Sequence, residues 1–312
     1  MKPEILLVEP MMPAMEQALD AAYIVHRLSA APDRDRLIAE IGGRVRAVVT
    51  GGGTGVANAV VDALPTLELI AINGVGTDAV DLEHARSRGV RVTNTPDVLT
   101  DDVADLAIGL MIAASRRMMV GDRFVRAGQW PKGKLPLARK VSGKRLGVLG
   151  LGRIGEAIAK RAEAFGMTVA YTNRKPREGV SYRFVASPVA LARESDILVV
   201  AASAGPDARN MVGRAMLDAL GPDGILINVA RGSVVDEPEL LAALTEGRIG
   251  GAGLDVFAAE PTVPEGFFGL DTVVLQPHQA SATVETRTAM AQLVLDNLEA
   301  HFAGRPLPTA VV

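Results

Sequence analysis

The sequence predicts an α/β protein with two doubly wound parallel-sheet domains. Short apolar runs alternate with helical patterns along most of the chain, which favours parallel sheets because each crossover connection holds a helix. Pro96 separates a first series of these runs from a second, and the length of 312 residues allows two domains of ordinary size. A glycine-rich turn follows the first strand of the second series and supports the same fold class.

The first series contains five apolar runs that we predict as strands. These runs are Ile5–Val8, Tyr23–His26, Ala47–Thr50, Leu69–Ile72 and Val90–Val92. Apolar residues recur with helical spacing between them, in stretches such as Pro13–Ala21 and Asp35–Ile41. A long helix, about 100–120, is predicted next, because Thr100 is a favourable N-cap residue and acids occupy the first turn, where the helix dipole favours them.

The second series contains six predicted strands and ends in a helix. The strands are Leu146–Leu149, Thr168–Thr172, Ile197–Ala201, Ile225–Val229, Gly253–Val256 and Thr272–Leu275. Apolar spacing predicts the closing helix over Val284–Phe302. We expect residues 1–98 and 287–312 to form one domain and residues 99–286 the other, with a ligand-binding cleft between them.

Composition and charge exclude several functional classes. A net charge of −3, from 33 basic and 36 acidic residues, together with 4% aromatic residues disfavours nucleic-acid and membrane-surface partners. The absence of cysteine excludes disulfides, thiolate metal sites and a cysteine nucleophile, and we predict no metal site. The N-terminus is unlike a signal peptide, and the apolar run Leu106–Ala114 is shorter than the ~20 residues that span a bilayer. We therefore expect a cytoplasmic protein.

The run Gly150-Leu151-Gly152-Arg153-Ile154-Gly155 matches the glycine pattern of dinucleotide-binding turns, between a predicted strand and a predicted helix. Gly150 permits the tight turn, Gly152 lets the backbone approach a pyrophosphate, and Gly155 lets helix and strand pack closely. The helix N-terminus offers free N–H groups to the phosphates.

The next predicted strand ends at Thr172 and is followed by Asn173, Arg174 and Lys175. NAD-binding folds usually carry an acid here, which holds the ribose 2′-hydroxyl and would repel a 2′-phosphate. The basic residues would attract that phosphate, so the sequence predicts a preference for NADPH, with NADH as a second cofactor. A solvated basic loop is the alternative interpretation.

A second glycine run, Gly51–Gly55, follows the third predicted strand and lacks the Gly-Lys-Ser/Thr ending of a nucleotide P-loop. Its backbone amides could receive a substrate carboxylate. A flexible surface turn explains the run equally well.

Three side chains with catalytic potential come after predicted strands, at the sheet edge where catalytic groups gather. They are Arg231, Glu260 and His278. An arginine, a carboxylate and a histidine presented in this way suit reduction of a 2-keto acid. Among the other histidines, we expect His26 and His84 to be structural and His301 to face solvent.

The sequence resembles the D-isomer-specific 2-hydroxyacid dehydrogenase family along essentially its whole length. The matching segments are Asn73–Asp78, Asn94–Pro96, Leu149–Gly155, Asn228–Gly232, Gly253–Phe257 and Pro277–His278. Asp97–Asp105 and the pair Asn173-Arg174 resemble the glyoxylate/hydroxypyruvate reductase branch of that family. The resemblance implies a flavodoxin-like substrate domain, a Rossmann cofactor domain, and a homodimer that pairs through the cofactor domains.

The resemblance also implies roles for the site residues. Arg231 would hold the keto-acid carboxylate and polarise the carbonyl, and His278 would donate a proton to the carbonyl oxygen. Glu260 would accept a hydrogen bond from His278, fixing its orientation and favouring its protonated form. Further substrate contacts would come from Gly52, Val75 and Gly76. Cofactor contacts would come from Gly150, Gly152, Arg153, Ile154, Gly155, Asn173, Arg174, Lys175, Ala230 and Asp255, the last beside the nicotinamide amide.

The function implied is NADPH-preferring reduction of small 2-keto acids, hydroxypyruvate and glyoxylate, to D-2-hydroxy acids. A reductase of larger acids, of the phenylpyruvate or 2-ketogluconate type, remains an alternative, as does a cofactor-sensing interaction protein on the same fold. Phosphoglycerate-type relatives carry a cation in the loop after the third strand, and because this loop reads Thr50-Gly51-Gly52-Gly53 a phosphorylated substrate is disfavoured. Formate-oxidising relatives carry glutamine beside the histidine, so Glu260 argues against formate. Trp130, the only tryptophan, is expected to pack structurally.

Overall fold

The computed structural model describes residues 2–312 and divides into two compact α/β units. The first unit contains the residues up to Leu99 together with Thr283–Val312. The second unit contains Thr100–Ala282.

The first unit is built on a five-stranded parallel sheet. Its strands are β1 (Glu4–Leu7), β2 (Ile24–Arg27), β3 (Val45–Gly51), β4 (Leu69–Asn73) and β5 (Arg91–Thr93). The spatial order β2-β1-β3-β4-β5 is that of flavodoxin-like folds, which confirms the predicted fold class. The helices that follow its strands are α1 (Pro13–Ala22), α2 (Arg34–Ile41), α3 (Asn58–Asp62) and α4 (Leu82–Ser87).

Both faces of this sheet are buried. Successive side chains of a strand point to opposite faces, so Leu6 and Val48 join one apolar cluster while Ile5 and Val49 join the other. Parallel sheets need this cover on both sides. Because β1, β3 and β4 run parallel to one another, their carboxyl ends lie along one edge of the sheet, and the loops that follow them emerge there.

The second unit is built on a seven-stranded parallel sheet. Its strands are β6 (Arg145–Leu149), β7 (Thr168–Thr172), β8 (Arg183–Phe184), β9 (Ile197–Val200), β10 (Ile225–Asn228), β11 (Gly251–Leu254) and β12 (Val273–Leu275). The order β12-β11-β10-β9-β6-β7-β8 is the Rossmann arrangement with one further strand. The Rossmann fold is as predicted, whereas the short strand β8 was not predicted from the sequence. Its helices are α5 (Thr100–Arg116), α6 (Met118–Arg126), α7 (Arg153–Glu163), α8 (Pro188–Arg193), α9 (Arg214–Leu220) and α10 (Glu237–Thr245).

The single helix predicted over residues 100–120 is wrong, because the chain forms two helices there. Arg117 adopts a left-handed conformation with φ of 50°, which an L-residue cannot extend into a right-handed helix, so α5 ends at Arg116. No glycine or proline marks this break in the sequence. Helix α5 packs against α7 and against β10 and β11.

The last helix, α11 (Val284–Phe302), has the predicted bounds and belongs to the first unit. Thr283 caps it by accepting a hydrogen bond from the backbone N–H of Thr286 at 3.1 Å. The helix packs against β4 and α1. Within residues 2–312, none of the helices has the length and apolar character needed to cross a membrane.

Candidate active site

The glycine turn after β6 has room for no side chain at two of its three glycines. Gly150 has φ of 97°, and a Cβ atom there would lie 2.4 Å from the Cα of Ala202. A Cβ on Gly155 would lie 2.2 Å from the carbonyl oxygen of Gly150. Gly152 differs, because a Cβ there would project into open space before α7. The turn therefore offers a cradle of the kind that dinucleotide phosphates occupy at a helix N-terminus.

Asn173 secures this turn from the end of β7. Its Oδ1 accepts a hydrogen bond from the N–H of Leu151 at 2.7 Å, and its Nδ2 donates to the Leu151 carbonyl at 3.3 Å. Ile154 is half-buried in the first turn of α7, and Arg153 beside it is exposed. The side-chain amide of Asn173 is thus engaged by the protein itself.

Arg174 and Lys175 extend from the same loop into solvent. Neither cation makes an ion pair with any residue in the part of the chain that the structure describes. Two uncompensated positive charges beside a dinucleotide turn are suited to a 2′-phosphate.

Sequence reasoning missed Arg177, which braces the turn from outside. Its Nη1 donates to the carbonyl oxygens of Leu151 and Gly152 at 3.3 and 3.2 Å, and its Nη2 lies 2.6 Å from Glu156 Oε2. Glu156 lies in the first turn of α7, where the helix dipole also favours an acid. No local sequence pattern links Arg177 with Glu156, because β7 lies between the helix of one and the loop of the other.

The turn after β10 presents Arg231. Asn228, which is buried, donates from Nδ2 to the Arg231 carbonyl at 3.0 Å and accepts from the Ala230 N–H at 3.1 Å. Gly232 packs so closely on the next loop that a Cβ there would lie 1.9 Å from the carbonyl carbon of Phe257. The backbone around half-buried Arg231 is therefore fixed by its neighbours, and its Nη1 donates to the Ala230 carbonyl at 2.9 Å.

Glu260 and His278 form a hydrogen-bonded pair, with 2.7 Å between Glu260 Oε2 and His278 Nδ1. The other carboxylate oxygen of Glu260 accepts the N–H of Phe257 at 2.9 Å. His278 has φ of 54°, a left-handed conformation that is uncommon outside glycine and is concentrated at functional sites. Because Nδ1 is engaged by Glu260, Nε2 is the ring nitrogen that can meet a substrate.

The pKa of Glu260 is held below its ordinary value of 4.5. Burial alone would raise this pKa, but the hydrogen bonds from His278 and from the Phe257 N–H, with the charges of His278 and Arg231, outweigh it. The carboxylate is therefore kept ionised beside the imidazole, where it can orient the ring.

We expect the stabilising effect of this carboxylate to depend on pH. A carboxyl group with a lowered pKa in the folded state stabilises the fold above its unfolded pKa, and this is lost as the pH falls through the folded pKa. The free energy of unfolding of the native protein should therefore exceed that of Glu260→Gln above about pH 4.5, and the gap should narrow at lower pH. Urea unfolding over this range measures the gap, with Glu265→Gln at an exposed position as the control. A gap that stays constant with pH would contradict the linkage.

Asp255, directly after β11, anchors the loop that carries His278. Its side chain is fully buried, and its two oxygens accept the N–H groups of Gln279 and Ala280 at 2.7 and 3.0 Å. The backbone N–H of His278 donates to the Asp255 carbonyl at 2.8 Å. Burial raises the pKa of Asp255, although the two backbone hydrogen bonds oppose this effect.

A second acid that the sequence did not identify supports the loop of Glu260. Glu237, in the first turn of α10, is buried and accepts the N–H of Ala258 at 2.7 Å. Burial, with the nearby charge of Glu260, raises the pKa of Glu237. In the sequence Glu237 has the ordinary pattern of an acid at a helix N-terminus, so its burial could not be predicted.

The first unit brings together the residues predicted to bind the substrate carboxylate. A Cβ on Gly52 would lie 3.1 Å from the Gly76 carbonyl oxygen, so the loops after β3 and β4 are closely packed. Asn94 Nδ2 donates to the Val75 carbonyl at 2.9 Å and holds the second loop in place. At Gly52 the glycine run thus packs against the neighbouring loop at this edge of the sheet.

The remaining histidines pair with acids in the first unit. His26 lies 2.8 Å from Glu4, and His84 lies 2.9 Å from Asp62. The prediction that His301 faces solvent is wrong, because its side chain is only 11% exposed and lies 2.8 Å from Glu68. The end of α11 is covered here, which its sequence position did not reveal.

The chain is similar to known proteins along its whole length. A family profile described as "D-isomer specific 2-hydroxyacid dehydrogenase, NAD binding domain" matches residues 108–280. A hydroxyphenylpyruvate reductase of Plectranthus scutellarioides is 52% identical over 99% of this chain and 98% of its own length. A 2-ketogluconate reductase of Gluconobacter oxydans is 49% identical over 100% of this chain and 99% of its own. The solved structure of an NADPH-dependent glyoxylate/hydroxypyruvate reductase of Sinorhizobium meliloti, with NADP and malonate, is 41% identical with a TM-score of 0.93, over 100% and 97% of the two chains.

Proposed function

The chain belongs to the D-isomer-specific 2-hydroxyacid dehydrogenase family, and from that premise we propose that it is an NADPH-preferring reductase of hydroxypyruvate and glyoxylate. It is an NAD(P)-dependent oxidoreductase that reduces 2-keto acids. The observation that carries the proposal is the His278–Glu260 pair at 2.7 Å, in the same unit as the dinucleotide turn.

The residues divide the reaction between them. The reduced nicotinamide, when bound, supplies a hydride to the carbonyl carbon. Arg231 binds the substrate carboxylate with its planar guanidinium and draws electron density from the neighbouring carbonyl. His278 donates its Nε2 proton to the carbonyl oxygen, so that an alcohol forms, and Glu260 holds the ring through Nδ1. The amides of Val75 and Gly76 in the first unit are proposed as further carboxylate ligands.

The contacts to the cofactor belong to this proposal as well. The glycine turn and Arg153, Ile154, Arg174 and Lys175 would bind the dinucleotide, Asn173 would act by holding the turn, and Ala230 and Asp255 would lie by the nicotinamide. The 2-ketogluconate and hydroxyphenylpyruvate reductases among the relatives favour larger acids as a second candidate class. No observation on residues 2–312 favours the cofactor-sensing alternative.

Initial rates of NADPH and NADH oxidation with hydroxypyruvate and glyoxylate test the proposal. We expect NADPH to be preferred, and Arg174→Ala to lower the NADPH-to-NADH ratio of kcat/KM by about 10- to 100-fold, because a charge-assisted contact to the 2′-phosphate is lost. Arg183→Ala is the control, since Arg183 pairs with Glu194 on the same unit. Equal turnover with both cofactors would remove the NADPH preference and leave the keto-acid reductase standing.

We also propose that the second unit forms a homodimer. Helix α6 buries none of its residues, and Met118, Val125 and Trp130 expose 49%, 53% and 68% of their surfaces. The expected structural packing of Trp130 within its own chain is therefore wrong. Large apolar side chains that are exposed within one short stretch of the sequence are typical of a surface that a second copy covers. Light scattering that gives only the monomer mass of 32.7 kDa would contradict the dimer.

A further inference from the structure

Glu9 lies two residues beyond the last residue of β1, at the carboxyl edge of the first unit's sheet. It is half-buried, and its Oε2 accepts a hydrogen bond from the Thr54 hydroxyl. A Cβ on Gly51 would lie 1.8 Å from Glu9 Oε1, so the carboxylate occupies space that only glycine leaves free. Over residues 2–312, Oε1 has no hydrogen-bond donor and Glu9 has no cationic partner. Glu9 is therefore a hydrogen-bond acceptor with unused capacity.

Glu9 lies at the same edge of the sheet as the proposed carboxylate site, two strands away. Strand β3 pairs with β1 on one side and with β4 on the other, and Gly51 stands opposite Asn73 in that register. Gly52 lies against the Gly76 carbonyl, and a Cβ on Gly53 would meet no atom within 4 Å. Gly51, Gly52 and Gly53 therefore place no side chain between Glu9 and the loop of Gly76.

We propose that Glu9 and Thr54 form a specificity subsite for the far hydroxyl groups of a polyhydroxylated six-carbon 2-keto acid. This inference rests on the proposed function, in which the amides of Val75 and Gly76 bind the carboxylate. It makes Glu9 a specificity-determining residue for substrates longer than hydroxypyruvate.

The dimensions of the sheet fit this length. Neighbouring strands lie about 4.8 Å apart, so β1 and β4 are separated by roughly 9.6 Å. A six-carbon acid spans five carbon–carbon bonds of about 1.5 Å each. With a terminal hydroxyl and a hydrogen bond of about 2.8 Å, the chain reaches from one site to the other. The two- and three-carbon acids are too short to do so.

The charge of the subsite selects the chemistry of the substrate chain. A carboxylate without a cationic partner accepts hydrogen bonds from hydroxyl groups and repels a second carboxylate. An apolar chain of the same length would displace the water bound to Glu9 without donating a hydrogen bond to its carboxylate, which is unfavourable. The geometry therefore favours a sugar acid over an alkyl or dicarboxylic 2-keto acid.

The test compares two six-carbon probes, 2-ketogluconate and 2-oxohexanoate, which has no chain hydroxyls. We expect the native protein to prefer 2-ketogluconate, and Glu9→Leu to lower the 2-ketogluconate-to-2-oxohexanoate ratio of kcat/KM by about 10- to 100-fold. Glu9→Gln keeps an acceptor oxygen and should give a smaller fall. Glu83→Leu, an exposed glutamate of the same unit, is the matched control and should leave the ratio unchanged.

The outcomes separate this inference from the proposed function. An unchanged ratio in Glu9→Leu overturns the subsite, even if hydroxypyruvate is still reduced. Absence of turnover with every 2-keto acid in the native protein overturns the proposed function itself. If Glu9→Leu does not fold, the same ratio measured for Glu9→Gln decides, since a fall supports the subsite and no change refutes it. A loss that is equal for both probes indicates a structural role for Glu9 and also refutes the subsite.

Discussion

Replacement of His278 by asparagine is expected to lower kcat for hydroxypyruvate by about 10²- to 10⁴-fold. The variant has no group that can deliver a proton to the carbonyl oxygen, so the developing alkoxide is not neutralised. Asparagine is the matched replacement because, like histidine, it tolerates the left-handed backbone conformation with φ of 54°. Its side chain can also bond to Glu260, which leaves that carboxylate with a partner.

Steady-state rates of NADPH oxidation measure the loss, and quenching of the single tryptophan or NADPH fluorescence measures cofactor affinity. Cofactor affinity should stay close to native, because the dinucleotide turn is formed by other residues, which include Gly150 and Asn173. His301→Asn is the control, since His301 pairs with Glu68 in the other unit. Turnover within a few-fold of native in His278→Asn would refute its role as proton donor.

Features governed by local pattern could be predicted from the sequence. The two sheets follow from apolar runs of strand length, because a buried parallel strand is apolar on both faces. The dinucleotide turn could be predicted from the spacing of three glycines. Gly150 has the positive φ of a tight turn, and Gly155 packs too closely on Gly150 to carry a Cβ, as the spacing implies. The approach of a pyrophosphate to Gly152 stays a prediction. The bounds of α11 could be predicted from its apolar spacing.

Features set by contacts between distant residues could not be predicted. The bonds of Asn173 to Leu151 join residues 22 positions apart, and composition contains no record of such a pairing. The burial of Glu237 depends on how the loop of Ala258 folds over α10. The break at Arg117 is an αL conformation at a residue type that usually continues a helix. In each case tertiary structure overrides the local preference.

The spacing of motifs predicted that the candidate catalytic residues lie near one sheet edge, but only the structure shows which of their atoms form hydrogen bonds. The sequence put Glu260 and His278 after separate strands, and the structure adds that Oε2 meets Nδ1. That assignment leaves Nε2 for the substrate and makes Glu260 a positioning residue. The supporting role of Asp255, through Gln279 and Ala280, was likewise not visible in the pattern.

Replacement of Arg231 by lysine is expected to lower kcat/KM for hydroxypyruvate by about 10²- to 10³-fold, comparable to removal of one oxyanion donor. Lysine keeps the positive charge but loses the planar fork that can bind a carboxylate and a carbonyl oxygen together. The turn should survive, because Asn228 holds the Arg231 carbonyl and Gly232 packs on Phe257 through backbone atoms. A fall in kcat, in addition to a rise in KM, would show that the contact strengthens in the transition state.

Arg231→Lys removes the planar guanidinium but keeps the charge, and a second variant, Arg231→Ala, removes both. Comparison of their kcat/KM values separates the effect of geometry from that of charge. If the charge alone mattered, Arg231→Lys would retain near-native kcat/KM while Arg231→Ala lost it, and the bidentate role would be refuted. Added guanidinium ions should restore part of the activity of Arg231→Ala and none of that of His278→Asn, because only the first variant leaves a cavity where a guanidinium group was bound.

The positive charge of Arg231 also lowers the pKa of Glu260, so this pKa should rise in Arg231→Ala. The pH dependence of the free energy of unfolding of the variant measures this rise. A fall in kcat/KM together with a rise in the pKa of Glu260 in Arg231→Ala would establish that Arg231 binds substrate and supports the Glu260 carboxylate through one positive charge.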